Sequence, residues 1–256
     1  MNIGFIGTGK IASSVIEGIL KSTLKIKKIF ISRRSNNISA RLKKKSKKII
    51  ICNNNQSIID KSNWIFLSIT PMVGKKIIHK LKFKSNQTVI SFIPTITLLQ
   101  FKKAIKAKCK IVRAIPLPPI SLRKGPVPIC PPNKKVKDFF NKLGTTVEIK
   151  NEKSSKSFWA TSAMMAPFYE ILKVLSDWLV KRGIRRNEAQ KYITTLFAAL
   201  SMDSVDNSIR HLKHLVADSQ TPSGLNEQAV KELRKVKFYK SLERSLNNIL
   251  KRLNKV

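Results

Sequence analysis

The chain has 256 residues, 42% of them hydrophobic, and its 51 Lys+Arg against 14 Asp+Glu give a formal charge of +37. That length and apolar content suit one large domain or two smaller ones with a real core, and no apolar run reaches the roughly 18 to 20 residues needed to span a bilayer. Cys52, Cys109 and Cys130 are odd in number and far apart, without a C-x-x-C pair, and His211 and His214 stand three apart with no acid to complete a metal site.

No signal-peptide pattern opens the chain, so a reduced, cytoplasmic protein without metal is expected. The lysines are scattered over every segment; the densest run, Arg41 to Lys48, carries no interleaved aromatics. A solvated basic surface is expected rather than a nucleic-acid partner, with weak binding to anionic polymers at low salt.

Taken in chain order, Ile3-Gly4-Phe5-Ile6 is an apolar strand that breaks at Gly7-Thr8-Gly9 and resumes as a helical pattern from Lys10-Ile11-Ala12 through Leu20. The spacing is G-x-G-x-x-A between strand and helix, the dinucleotide-binding fingerprint. Gly7 allows the turn, Gly9 lets backbone approach a pyrophosphate, and Ala12 lets the helix pack close to the strand. The helix start then aims free N–H groups at phosphate. Gly7, Thr8, Gly9, Lys10, Ile11 and Ala12 are therefore the candidate cofactor residues.

Lys28 to Ser32 is the expected second strand. NAD-binding chains place an acid at its end, about 20 residues past the glycines, to hold the ribose 2′-hydroxyl. Here it ends in Ser32-Arg33-Arg34, with no acid and two guanidiniums suited to a 2′-phosphate and to stacking on adenine. NADPH is expected over NADH.

A polar basic helix over Ser39–Lys47 and a short strand, Ile49–Ile51, come next. Ser57-Ile58-Ile59 reads as the start of a turn. Trp64–Ile69 reads as a buried strand stopped by Pro71, and Thr70-Pro71 falls at a carboxyl edge where a nicotinamide or its ribose can rest. A helix over Val73–Leu81, a strand at Thr88–Ile93, a helix over Leu98–Ile105 and a strand at Lys110–Ile115 follow. An added strand at Val127–Cys130, a helix over Val136–Leu143 and a closing strand at Thr145–Ile149 complete this half. Helices alternating with near-continuous apolar strands argue an α/β fold with a doubly wound, mainly parallel sheet.

From about Ser154 strand patterns vanish. Phe158–Lys181 reads as a long apolar helix interrupted by Pro167. Asn187–Met202, Ser208–Val216 and Thr221–Leu253, the last kinked near Phe238, follow. The expected boundary lies near Asn151, giving a cofactor domain over 1–150 and an all-α domain over 151–256. An apolar helix in so modest a helical half predicts burial against a second subunit.

The order of these motifs resembles the pyrroline-5-carboxylate reductases. The resemblance is carried by Gly4-Phe5-Ile6-Gly7-Thr8-Gly9-Lys10-Ile11-Ala12, by the Trp64–Ile69 strand with Thr70-Pro71, and by Val89-Ile90-Ser91 with a helix from Thr97-Leu98. Val112-Arg113-Ala114-Ile115-Pro116 and Thr221-Pro222-Ser223-Gly224 complete the set. It implies a Rossmann-type NADPH domain, a helical dimerisation domain forming a homodimer or higher homo-oligomer, and reduction of a cyclic imino acid to proline. The substrate half departs from the family pattern. Pro116-Leu117-Pro118-Pro119 lacks the usual polar Asn and Thr. Thr161-Ser162-Ala163-Met164-Met165 is bulkier than the usual small-residue run. Asn226 stands where the family places a Thr implied to partner the substrate nitrogen.

Imine reduction needs little acid–base machinery, because a protonated C=N is already an electrophile and positioning supplies most of the rate. A substrate carboxylate needs donors. Thr221 as an N-cap, Pro222 at the first helical position and the N–H groups beyond it offer them. Thr221, Ser223 and Gly224 are the candidate substrate-binding residues and Asn226 the candidate catalytic one. Reduction of another small imine or keto acid, or NADP binding without catalysis, remain open alternatives.

Overall fold

A computed structural model describes residues 1–33 and 36–255. Its first half alternates strand and helix: β1 (Asn2–Ile6), α1 (Lys10–Leu20), β2 (Lys28–Ser32), α2 (Asn36–Lys45), β3 (Ile49–Cys52), α3 (Asn55–Asp60), β4 (Trp64–Leu67) and α4 (Pro71–Ile77) come first. Then follow β5 (Thr88–Ser91), α5 (Leu98–Ala104), β6 (Lys110–Ala114), β7 (Pro126–Cys130), α6 (Lys134–Phe140) and β8 (Thr145–Glu148). Among the described residues the strands form one sheet in the order β3-β2-β1-β4-β5-β6-β7-β8. β1 to β6 run parallel, β7 is antiparallel to β6, and β8 runs parallel to β7. This is the expected doubly wound, mainly parallel sheet, and its order reverses between β1 and β4, the switch point where such folds bind ligands.

The central strands are buried on both faces, which is why β1, β2 and β4 are mostly apolar, while the edge strand β8 is partly exposed. Ile3 and Phe5 of β1 pack with α1 residues Ala12, Val15 and Ile16, while Ile6 packs with Ile58, Ile65 and Leu67 on the other face. That division follows from the two-residue period of a strand. Phe5 stacks on Phe66 with ring centroids 4.5 Å apart. Each such fully buried side chain contributes about 1.5–3 kcal/mol of apolar transfer.

Two local expectations are corrected here. Ser57-Ile58-Ile59 lies inside α3, because the Asn54 carboxamide accepts the Ser57 N–H at 2.8 Å and starts a helix. Pro71 does more than end a strand. It occupies the first position of α4 with Thr70 as N-cap, where a fixed φ and a missing N–H cost nothing.

The second half is helical: α7 (Glu152–Ser162), α8 (Met165–Val180), α9 (Arg186–Asp206), α10 (Lys213–Asp218), α11 (Leu225–Lys235) and α12 (Phe238–Asn254). The long helix expected over 158–181 is broken between Ser162 and Met165. Pro167 sits in the first turn of α8, where its absent N–H would have had no partner. The helix expected over 208–216 is confined to α10. The last helix divides where Lys237 takes a left-handed φ of 58°, beside the expected kink. The chain forms two compact units, one of residues 1–159 with 253–256 and one of residues 160–252. The composition changes where α7 begins, and the units part within that helix. No helix among the described residues is long and apolar enough to cross a membrane.

Candidate functional site

The glycine turn is built by its neighbours. Gly7 has φ +93°, and a Cβ there would meet the Ser68 carbonyl oxygen at 2.3 Å, so only glycine fits. Its N–H donates to Ser32 Oγ at 3.1 Å, which ties the ends of β1 and β2 together. Thr8 is 1% exposed. Its hydroxyl donates to the Ser32 carbonyl at 3.2 Å and meets Ser39 Oγ at 3.1 Å, so only its backbone is left for a ligand. Gly9 is the N-cap of α1, with no side-chain cap and open space where a Cβ would stand. The first bond of α1 is Ser13 N–H to the Gly9 carbonyl. The N–H groups of Lys10, Ile11 and Ala12 therefore precede the helical ladder and are available to an anion. Ala12 is buried and Ile11 packs against the same core, while Lys10 is exposed.

A cavity of about 530 Å³ opens at this carboxyl edge, lined by Ile6, Gly7, Ser32, Arg33, Cys52, Asn53, Asn54, Asn55, Ile69 and Ile77. Its walls are the ends of β1, β2 and β3, with Ile69 following β4. Among the described residues the exposed Arg33 is its one cationic lining residue and no carboxylate lines it. Arg34 falls outside the described residues. The run Asn53-Asn54-Asn55 was not singled out from the sequence. Its signal is that it ends the strand next to β2, so the 3-2-1 order brings its carboxamides to the same wall. The open space at Gly9, the turn at Gly7 and an acid-free wall bearing a guanidinium fit a phosphate-bearing dinucleotide. Thr70 and Pro71 begin α4 on the same sheet edge but do not line this cavity.

The candidate substrate residues lie in the second unit. Thr221 was expected as the N-cap and Pro222 as the first helical residue, but the N-cap of α11 is Gly224 and the helix begins at Leu225. The cause is a tight turn: Gly224 N–H donates to the Thr221 carbonyl at 2.8 Å, and Ser223 takes a left-handed φ of 59°. Ser223 N–H donates to Glu227 Oε2 at 2.8 Å, and Asn226 Nδ2 donates to the Ser219 carbonyl at 2.7 Å. Lys231, 2.7 Å from the other Glu227 oxygen, and the Ser223 N–H together hold the Glu227 carboxyl below its ordinary range. The N–H groups of Leu225, Asn226 and Glu227 precede the first helical bond, from Gln228 to Gly224.

One further cluster carries charge into the core. Arg113 on β6 is 2% exposed, pairs with Glu152 at the start of α7, and donates to the Ile96 carbonyl. Its guanidinium lies 5.0 Å from the Trp159 ring centroid. Glu152 also accepts the Leu98 N–H at 2.8 Å, so one carboxylate joins α5, β6 and α7. Burial lowers the Arg113 pKa, and Glu152 opposes that. Among the described residues no group of His, Cys, Asp and Glu could hold a metal ion.

Two family models match the chain. "NADP oxidoreductase coenzyme F420-dependent" covers residues 2–94, and "Pyrroline-5-carboxylate reductase dimerisation" covers residues 152–256. Pyrroline-5-carboxylate reductase 3 of Xenopus laevis is 24% identical over 245 residues, spanning 91% of this chain and 88% of that protein. The helical half thus matches the dimerisation domain of the pyrroline-5-carboxylate reductase family, and the chain is similar to its members along nearly its whole length. Members of the pyrroline-5-carboxylate reductase family are NADP-dependent oxidoreductases, consistent with the cavity at β1–β3. The fold agrees with solved members. The 1-pyrroline-5-carboxylate reductase of Streptococcus pyogenes superposes with a TM-score of 0.85 at 21% identity, covering 100% of this chain and 99% of that one. A Plasmodium falciparum pyrroline carboxylate reductase with NADP bound gives 0.84 at 22% identity, covering 99% and 97%.

Proposed function

We propose that this protein reduces a cyclic imino acid with NADPH, converting 1-pyrroline-5-carboxylate to proline. The observation that carries the reading is the acid-free, Arg33-bearing cavity beside the Gly7–Gly9 turn, in a chain similar to this family. When bound, the nicotinamide supplies a hydride to the imine carbon. The chain's residues do the rest by holding and orienting. The N–H groups of Lys10, Ile11 and Ala12 would hold the pyrophosphate, and Arg33, with Arg34, would hold the 2′-phosphate. Thr70-Pro71, on the same sheet edge, would meet the nicotinamide or its ribose. Thr221, Ser223 and Gly224 shape the turn that presents the free N–H groups of α11 to the substrate carboxylate. Asn226 offers its carboxamide to the imine nitrogen. A protonated imine needs no further acid, which accords with the absence of a His–Asp pair. The helical half, 151–256, is the proposed dimerisation domain, and the cytoplasm the proposed compartment.

A second reading is favoured by one contact. The carboxylate of Glu227 already occupies the Ser223 N–H, which suits an imine without its own carboxylate. NADPH oxidation against a panel of cyclic imines separates the two. Turnover with the five-membered 5-carboxylate supports the first, and turnover only with imines lacking a carboxylate supports the second. NADPH binding without any turnover overturns both. Asn226→Ala is expected to lower kcat at least tenfold with NADPH affinity unchanged; wild-type turnover removes it from the site. NADH binding as tight as NADPH or tighter refutes the assignment of Arg33.

A further inference from the structure

The charge is unevenly divided. Of the 51 Lys+Arg and 14 Asp+Glu, 35 and 5 fall in the unit formed by residues 1–159 and 253–256, and 16 and 9 in the unit of residues 160–252. The sequence scatters the lysines of the first unit, but the sheet collects them. In a parallel sheet every segment entering a strand arrives at the same amino edge, opposite the carboxyl edge that holds the cofactor cavity. The segments entering β2 to β6 are residues 25–28, 47–48, 61–63, 82–87 and 106–110. They contain eleven lysines and no Asp or Glu. All of those lysines are exposed, and none makes an ion pair among the described residues.

Register fixes the row. Lys28 pairs with Asn2, Trp64 with Ile3 and Thr88, and Lys110 with Thr88. Backbone bonds tie neighbouring entries together, from Ile29 to the Lys48 carbonyl at 2.9 Å and from Lys110 to the Gln87 carbonyl at 3.2 Å. From β3 to β6 the row crosses five strand spacings of about 4.8 Å, roughly 24 Å in all. At about 3.4 Å per charge along one nucleic-acid strand, that rim faces roughly seven phosphates.

We propose that this amino-edge rim binds the phosphate backbone of a nucleic acid without sequence preference, on the side of the sheet away from the cofactor. Cations in a row that far outnumber the acids beside them, of which the exposed Asp60 next to Lys61 and Lys84 is one, match a linear polyanion. The exposed large hydrophobics of this unit, Met72, Leu99, Leu122 and Phe158, lie outside the entering segments, so Met1 alone is near enough to insert into a bilayer. That favours a nucleic acid over a lipid surface. Bases are left unread because no exposed aromatic stands among the lysines, so the contact is to backbone alone.

The test is fluorescence anisotropy of the full-length protein with a labelled single-stranded RNA of about 20 nucleotides, from about 50 to 200 mM KCl. Binding is expected to persist at about 150 mM KCl, with log K falling against log salt at a slope of about −3 or steeper, the value for four or more phosphates. The triple variant K28E/K84E/K108E is expected to weaken binding at least tenfold and flatten the slope. The matched variant K124E/K142E/K153E, exposed lysines of the same unit outside those segments, is expected to change it less than threefold. Unchanged NADPH binding shows that each variant is folded, and K28Q/K84Q/K108Q repeats the test if the reversal is not. No binding at about 150 mM KCl, equal losses in the two triple variants, or binding to phosphatidylserine vesicles but not RNA overturns the proposal.

Discussion

In the first unit Ile3, Phe5, Phe66 and Phe101 show no solvent exposure, and paired strands and helices surround them; in the second, Tyr169, Trp178, Tyr192 and Met202 are each more than half exposed. Both units are rich in apolar residues, so apolar content does not separate them. The difference lies in what each can cover. A doubly wound sheet closes a core on both faces by itself. The helices α8 and α9 carry apolar residues on more sides than their own unit covers: α9 alone exposes Tyr192, Leu196, Leu200, Met202 and Val205. Exposed apolar area of this kind marks an interaction surface. The match of residues 152–256 to a dimerisation model agrees with oligomerisation through this surface.

The comparison breaks most completely from the first unit's side. Gly7→Val forces a branched side chain into φ +93° and against the Ser68 carbonyl. NADPH affinity is expected to fall more than 100-fold, with the oligomeric state by light scattering unchanged from the wild type. A changed oligomeric state would show that the units do not stand apart. From the other side, Trp178→Glu with Leu200→Glu places two charges on apolar area that a partner must dry. A monomer is expected by light scattering, with NADPH affinity within about twofold of the wild type. A retained dimer would place the contact elsewhere in the helical half.

Glu152→Ala acts where α7 leaves the sheet. It leaves the guanidinium of Arg113 buried without its carboxylate and frees the Leu98 N–H. Breaking a buried pair by removing one partner costs about 3–5 kcal/mol. The expected outcome is a lower urea midpoint followed by NADPH-dependent fluorescence. Arg113→Met with Glu152→Leu is expected to recover much of that loss, because it removes both charges together.

Much of this architecture was legible in the chain. Gly7 marks the turn because its φ of +93° demands glycine, Gly9 and Ala12 complete the fingerprint's spacing, and the apolar runs of β4 and β5 mark buried strands. What stayed hidden depended on neighbours distant in sequence. Asn53 to Asn55 look like an ordinary polar loop until β3 pairs with β2. Arg113 reads as one cation among 51 until Glu152 arrives beside it. Thr221 looked like a helix cap because Thr-Pro is a good start signal. The turn closed by Gly224 and the left-handed Ser223 moves the start to Leu225, a choice between two local solutions that the pattern does not decide. Pro167 was legible as an interruption, but the break falls ahead of it, because the first turn of a helix tolerates a missing N–H.

The smallest effect concerns that same turn and sharpens the comparison at one residue. Glu227 is held below its ordinary carboxylate value, 4.5, by Lys231 and by the Ser223 N–H. A group whose folded pKa is depressed contributes stability above its unfolded pKa and loses it as pH falls through the folded value. Glu227→Gln keeps an oxygen for the Ser223 N–H but removes the charge. The variant is therefore expected to melt slightly below the wild type near pH 7, and the gap should close as the pH falls below the ordinary carboxylate range. The exposed setting keeps the shift small, and added salt should narrow it. If the substrate carboxylate docks on the free N–H groups of α11, removing the negative charge of Glu227 from that helix start also lowers KM for 1-pyrroline-5-carboxylate while leaving kcat alone. A KM that does not move would mean that Glu227 serves only the turn, and that the substrate's carboxylate is held elsewhere.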